Sequence, residues 1–342
     1  MGPSEKNPYS GLFVQNQYDA MNKEAIKTDF FYLNQDIKTG LAKIFRYPLF
    51  FYNFFIKYVL STKKIDIIHV HFYFPLILFA ISYKLLRNWQ LKIVVTFHGS
   101  DVYLYSPPGL LYRLSSYLVD KYIFVSQSLQ NKFYRNVDAE IISAGVSDFF
   151  FHHSAITTEK KYDLIFVGHL DFNKGLDRLI HLVNSLERSD NKLNIAVVGK
   201  GNNHLVLNES KHNICYLGAK SPKELVVLYH QSKYLINLSR NESFGLVMAE
   251  AMACGTPVIA TRTDGSSTQV IDKVNGFLWR NEDHWLEQNA GKHLQKVLSL
   301  PQSDYQALST SSKSKVEPYK LSQIAQQLSN VYFNVISDLK KN

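Results

Sequence analysis

Two glutamates eight residues apart, Glu242 and Glu250, stand in the stretch RNESFGLVMAEAMACGTPVIA (240–260). Glu250 lies among Leu, Val, Met and Ala, where a carboxylate is costly unless something polar meets it. Gly245 at a helix start, Gly255 just past its end and Pro257 opening a strand bound a helix over 244–254. That helix is apolar on every face, the pattern of a buried one. Its first turn offers free N–H groups and partial positive charge to an anionic or hydroxyl-bearing ligand, with Glu242 just ahead of it. Ala249, Ala251 and Ala253 leave room beside Glu250, and a carboxylate on a small-residue surface can take both hydroxyls of a vicinal diol such as ribose. The competing assignment is an internal ion pair.

Other chemistry is thinner. His69 and His71 share one side of a strand, but no third metal ligand is apparent. His152 and His153 fall in a polar connector, as solvated histidines do. VVGKGNN (197–203) is a lone glycine pair after a strand, and no G-x-G-x-x-G follows a strand, which disfavours a dinucleotide dehydrogenase. No Asp-x-Asp occurs, in keeping with metal-independent chemistry.

These residues need a frame. At 342 residues the chain is long for one domain, and 46% hydrophobic content suffices for two cores. The formal charge of +9 points to an acidic partner. It is divided as 16 − 11 = +5 over residues 1–150 and 22 − 18 = +4 over 151–342, with no basic tail of the nucleic-acid kind. Cys215 and Cys254 lie in apolar runs without metal spacing, as in a reducing compartment. No signal-peptide pattern is visible, and the most apolar stretch, 70–81, is far short of the ~18–20 residues of a spanning helix. A cytoplasmic protein is expected.

Short runs rich in Ile and Val at 65–72, 92–99, 121–126 and 139–145 read as parallel strands covered on both faces, with helices between, notably 109–118. After a polar connector (149–161) the alternation restarts with a strand at 162–170 and a helix at 174–186. The fold class is therefore α/β, with two doubly wound Rossmann-like domains facing across a cleft, and ligands at the carboxyl ends of the strands. The domains are placed at 1–150 and 151–322, with a final helix (323–342) crossing back to the first. STSSKSK (309–315) reads as loop. MGPSEKNPYSGLFV opens with loop chemistry where a doubly wound domain opens with a strand, so either a first strand is missing or the true start lies upstream.

The E-x7-E spacing with SFG, followed by EAMACGTPVIAT, resembles the signature of the retaining "glycosyl transferases group 1" family (family four), which has the GT-B fold. TFHGSD (96–101) resembles its catalytic-histidine loop, FVGHLDFNKG (166–175) its phosphate loop, and NPYSGLFVQNQYDAM (7–21) its first glycine loop. DGSSTQVIDKVNGFLW (264–279) is similar to the segment that follows. The resemblance implies catalytic positions at His98 and Glu242, with His98 against the donor sugar. It implies donor binding by Gly11, Gly168, His169, Lys174, Ser243, Phe244, Gly245, Leu246 and Glu250. Lys174 would hold the diphosphate, the N–H groups of 244–246 the sugar hydroxyls, and Glu250 the ribose. No metal or other cofactor is implied, because a lysine and a helix N-terminus can stabilise a diphosphate leaving group.

His169 replaces the family arginine, which is always charged and can grip phosphate bidentately, so weaker phosphate affinity is expected. The interdomain NGVD is AGVS (144–147). Between residues 38 and 64 six cations (Lys38, Lys43, Arg46, Lys57, Lys63, Lys64) and no acids alternate with eight Phe and Tyr. This segment suits either an anionic membrane surface or a core helix with solvated lysines. The expected activity is retaining transfer of a sugar from a nucleotide-diphosphate donor to a glycan or lipid-linked glycan in cell-surface polysaccharide assembly. The alternatives are a nucleotide-sugar epimerase and a non-catalytic scaffold of the same fold.

Overall fold

The computed structural model describes residues 11–22, 26–33, 41–152, 159–186, 192–201 and 212–337. The opening segment 1–10, with the start of the first glycine loop, lies outside them, as do Lys38, His153, Asn202, Asn203 and residues 338–342. Contacts divide the chain into two units, Met1–Gly145 with Leu321–Asn342, and Val146–Lys320. The crossings fall at 145/146 and 320/321, ahead of the expected 150 and 322, because Val146 already pairs with Lys320 and donates its N–H to the Tyr319 carbonyl at 2.8 Å.

In the first unit, β1 (Ile67–His71), β2 (Lys92–Phe97), β3 (Lys121–Phe124) and β4 (Ala139–Ile141) form a parallel sheet in sequential order. One face carries Val94, Ile123 and Ile142 against Met21 of the Leu12–Met21 helix and Ile324, Ala325 and Leu328 of the Leu321–Ser337 helix. The other face holds many of the chain's aromatic residues. Phe97 stacks on Phe124 at 4.8 Å, and Tyr73 meets Tyr112 edge-on at 4.6 Å beneath the Tyr73–Leu86 and Leu110–Ser116 helices. Edge-to-face and offset rings at such spacings add stabilisation beyond their buried area.

In the second unit, β5 (Tyr162–Val167), β6 (Asn194–Val198), β7 (Asn213–Gly218), β8 (Ser232–Asn237), β9 (Val258–Thr261) and β10 (Gly276–Trp279) are all parallel, in the order β10-β9-β8-β5-β6-β7. The chain runs outward from β5 to β7, then returns to the other side of β5 with β8. That reversal opens a crevice at the carboxyl ends of β5 and β8, where open α/β sheets bind ligands. Cys254 is buried, whereas Cys215 is exposed on the edge strand β7, so only one of the two apolar runs with cysteine is interior.

STSSKSK is helical and not a loop, forming the last half of the Gln302–Val316 helix. Serine-rich segments favour loops because their hydroxyls compete for backbone groups. Here packing supplies acceptors: Ser312 donates to the Asn275 carbonyl and Ser309 to the Gly255 carbonyl, both at 2.7 Å. Leu308 and Val316 anchor the same face.

Candidate nucleotide and sugar site

The loops after β5 and β8 carry most of the expected residues of the second unit. Gly175 (φ 76°) starts the Leu176–Asn184 helix, and a Cβ there would come within 2.2 Å of the Leu238 carbonyl oxygen. Only glycine lets these two loops touch. Gly168 is approached as closely: a Cβ on Gly199 would stand 1.7 Å from its carbonyl oxygen. Asp171 accepts the Lys174 N–H at 2.8 Å and turns the lysine toward β8. Arg240 donates its N–H to the Asn173 carbonyl at 2.8 Å, tying the loops edge to edge.

The outcome is a contact between residues 68 positions apart, Lys174 Nζ to Glu242 Oε2 at 2.5 Å. The glutamate side chain is 13% exposed and the lysine 29%, so this cation and anion face the crevice without being sealed off. Gly245 (φ 83°) then opens the Leu246–Ala253 helix with no side-chain cap, leaving its first N–H groups to a ligand. A Cβ at Gly245 would meet Met248 Cε at 2.3 Å and Glu242 Cγ at 3.0 Å. Ser243 and Phe244 complete the turn, with Phe244 buried edge-on to Tyr319 at 5.3 Å.

Glu250 sits on the second turn of this helix, partly open, amid Met248, Ala249 and Ala251, which are fully buried. Among the described residues it makes no ion pair. Its partner is the Tyr229 hydroxyl, which donates at 3.3 Å. Burial pushes its carboxyl up to about 7, against a small opposing effect of that hydrogen bond. Glu250 is thus an under-supplied acceptor, and among the described residues the internal cation considered above is not found.

His169 points to solvent, 64% exposed, with Nδ1 3.1 Å from Asp171 Oδ2. An arginine there would have had the same carboxylate to pair with.

His98 and Gly11 belong to the first unit. Gly11 (φ 66°) begins the Leu12–Met21 helix, whose Phe13 lies edge-on to the His98 ring at 4.9 Å. The HGSD loop is shaped by Asp101, a buried carboxylate accepting the N–H groups of His98 (3.0 Å), Gly99 (2.8 Å) and Tyr73 (3.3 Å). Burial nonetheless raises Asp101 to about 6. His98 Nε2 and His71 Nδ1 are 3.0 Å apart. Burial lowers His98 to about 3, so at neutral pH both imidazoles are neutral and one donates to the other. His69 spends both ring nitrogens on protein, Nδ1 on the Tyr332 hydroxyl at 2.5 Å and Nε2 on Thr96 Oγ1 at 2.7 Å, which removes it as a metal ligand. Among the described residues, no group of three or more His, Cys, Asp and Glu is arranged to hold a metal ion.

Gly265, Gln269 and Arg240 lie inside the quoted stretches, but no role was expected of them. Gly265 donates its N–H to the Glu242 carbonyl at 2.8 Å, and the Gln269 side chain donates to the Phe244 carbonyl, so the 264–269 helix clamps the SFG turn from behind. Arg240 is held by Asp177 at 2.7 and 3.0 Å and by Asp283 at 3.1 Å, its guanidinium 3.4 Å over the Phe172 ring. His71 shows in the sequence only as a same-face partner of His69; the parallel pairing of β1 with β2 is what brings it to His98.

Residues 148–314 match the family described as Glycosyl transferases group 1, and residues 30–148 match Glycosyltransferase Family 4. An uncharacterized glycosyltransferase of Methanocaldococcus jannaschii is 32% identical over 65% of this chain and 63% of its own length. N-acetyl-alpha-D-glucosaminyl L-malate synthase of Bacillus anthracis is 26% identical over 82% of this chain and 78% of its own. The pneumococcal O-GlcNAc transferase GtfA, solved with UDP and GlcNAc, superposes with a TM-score of 0.62 at 20% identity, over 76% of this chain and 55% of that one. At that identity the likeness is one of fold. The chain thus spans just under two thirds of the archaeal relative and about half of GtfA.

Proposed function

Because this chain belongs to the glycosyl transferases group 1 family and has its two-sheet GT-B architecture, we propose that it is a retaining glycosyltransferase. It moves a hexose or related sugar from a nucleoside-diphosphate donor to a glycan or lipid-linked glycan during cell-surface polysaccharide assembly. The reaction proceeds without a metal ion, at the inner face of a membrane whose anionic surface residues 38–64 help to meet. Among the described residues no helix is long and apolar enough to cross that membrane.

The observation that carries this proposal is the Lys174–Glu242 contact at the β5/β8 crevice, beside an uncapped helix N-terminus. As the bond from the anomeric carbon to the donor phosphate breaks, charge builds on the diphosphate, which the Lys174 ammonium and the first N–H groups of the 246–253 helix stabilise. Glu250 holds the ribose, whose hydroxyls supply the hydrogen bonds it lacks. Glu242 lies by the donor sugar. His98, neutral and oriented by His71, contacts a sugar hydroxyl and does not act as a cationic acid. The acceptor oxygen attacks from the face the diphosphate leaves, and its proton passes to the departing phosphate oxygen, so configuration is kept.

A thermal-shift panel of nucleoside diphosphates and their sugars tests the donor half. A ligand at a hundredfold excess over its Kd stabilises by about 2.7 kcal/mol, and one strong responder would identify the donor. Silence across the panel from folded protein would defeat the proposal. Transfer from that donor should survive EDTA, and proton NMR of the product should show the donor's anomeric configuration.

A further inference from the structure

In GLLYRLSSYLVD (109–120), Leu110, Leu111, Leu114, Tyr117 and Leu118 recur at the spacing of one helical face. In an ordinary surface helix that face would be buried. Here it is turned outward: Leu110 is 71% exposed, Leu111 63% and Tyr117 67%. The polar side is the one that packs. Ser115 Oγ meets the Tyr73 hydroxyl and Ser116 Oγ the Tyr134 hydroxyl, each at 2.5 Å, while the Tyr112 hydroxyl donates to the Asp101 carbonyl at 2.8 Å. These bonds hold the Leu110–Ser116 helix in register, so it cannot roll its leucines inward.

The sheet order β1-β2-β3 is sequential, and right-handed crossovers place both connecting helices on the same side of it. The Tyr73–Leu86 helix therefore lies in the same outer layer, exposing Leu85 and Leu86, with Trp89 just beyond at 68%. The Leu41–Phe54 helix joins the layer through Phe50 and Phe54, whose rings lie 5.1 and 5.6 Å from Phe79, and leaves Leu49 and Tyr52 outside. Over the described residues 45–64 only Phe54 and Val59 are buried, so this part of the chain is mostly surface. It is one part of a wider apolar layer.

Charge follows the same layer. Residues 41–135 contain 12 Lys and Arg and 3 Asp and Glu, a net +9, and the rest of the chain holds 26 of each sign (38 − 12 and 29 − 3). The excess that looked evenly divided between the chain's halves lies wholly within residues 41–135, the stretch that includes this layer, although Lys57 pairs with Asp29, and Lys121 with Asp138 and Glu140, from outside it. Of those three acids, Asp101 is buried and Asp120 is paired with Lys84 and Lys92 at 3.3 and 3.2 Å.

We propose that this layer of the first unit is a docking face for an anionic lipid bilayer, and that the 110–118 leucine face is the element that enters the headgroup region. Cations around an apolar patch match an anionic leaflet, and Trp89, Tyr52 and Tyr117 are the residue types that favour its interface. This goes beyond the 38–64 segment and does not depend on which donor the second unit binds.

Flotation with vesicles of equal parts phosphatidylglycerol and phosphatidylcholine tests it, with pure phosphatidylcholine as control. Wild type should float with the anionic vesicles only, and less so as salt rises. Leu110→Ser/Leu111→Ser/Leu114→Ser should weaken partitioning by about tenfold or more, with circular dichroism and Tm unchanged. Lys63→Gln/Lys64→Gln should weaken it by roughly 25-fold, about fivefold per lysine. Trp89 emission should shift to the blue on binding, a shift that Trp89→Phe abolishes. Should the triple variant fold poorly, brominated lipids must quench Trp89 of the wild type. Equal flotation of wild type and triple variant, or no binding to anionic vesicles, overturns the proposal. So does a solution dimer that the triple variant converts to monomer without any lipid effect, because a second copy would then cover the face.

Discussion

Replacing Glu250 by glutamine isolates the cost of keeping its charge in apolar surroundings. Burial raises the folded-state carboxyl from 4.5 to about 7, so between those values the folded protein holds a proton that the unfolded chain has released. The contribution is therefore fully present below pH 4.5 and lost as pH rises through 7. The rise from 4.5 to about 7 corresponds to about 3 kcal/mol, an upper figure because part of the side chain meets water. Glutamine is nearly isosteric, can still accept from Tyr229, and never ionises. Glu250→Gln should thus match wild type near pH 4.5 and exceed it by up to about 3 kcal/mol at pH 8.5. The assay is urea unfolding followed by tryptophan fluorescence in a Trp89→Phe background, where Trp279 and Trp285 report on the second unit alone. Comparing the two proteins at each pH cancels every other titrating group. A difference that stays flat from pH 5 to 8.5 would refute the reasoning. If ribose hydroxyls then satisfy the carboxylate, donor binding near pH 6 should release protons, and the variant should release none.

Three further outcomes are expected. Lys174→Met should weaken nucleoside-diphosphate binding by about 1.5–3 kcal/mol in calorimetry, the scale of a hydrogen bond to a charged group, while changing stability by less than about 1 kcal/mol because its pair with Glu242 is partly exposed. Gly245→Ala places a Cβ at φ 83° against Met248 and should cost about 1–2 kcal/mol in chemical denaturation; an unchanged midpoint would mean the turn does not need its left-handed residue. His169→Arg should tighten donor binding at pH 8 by about 1 kcal/mol, since a guanidinium keeps both charge and fork. Titration calorimetry showing equal or weaker binding would indicate that Asp171, 3.1 Å from the imidazole, captures the arginine instead.

Period and punctuation in the sequence were enough for the two α/β units, since continuous Ile/Val runs become doubly covered parallel strands wherever helices can flank them. Gly175 and Gly245 were legible for the same reason: each is a turn where a side chain would collide with its own neighbourhood. Local pattern failed where the deciding contact was distant in sequence. STSSKSK is helical because Asn275 and Gly255 offer its serines acceptors, and the leucines of 110–118 face outward because Tyr73 and Tyr134 claim the serines on the other side. Glu250 was conspicuous in the sequence, but whether a cation met it was for packing to decide; Tyr229, 21 residues away, took that place. The sequence by itself determined which residues could do chemistry and which elements would carry them. Tertiary structure decided which of them meet, because hydrogen bonds and burial act between side chains that only the folded chain brings within a few ångströms of each other.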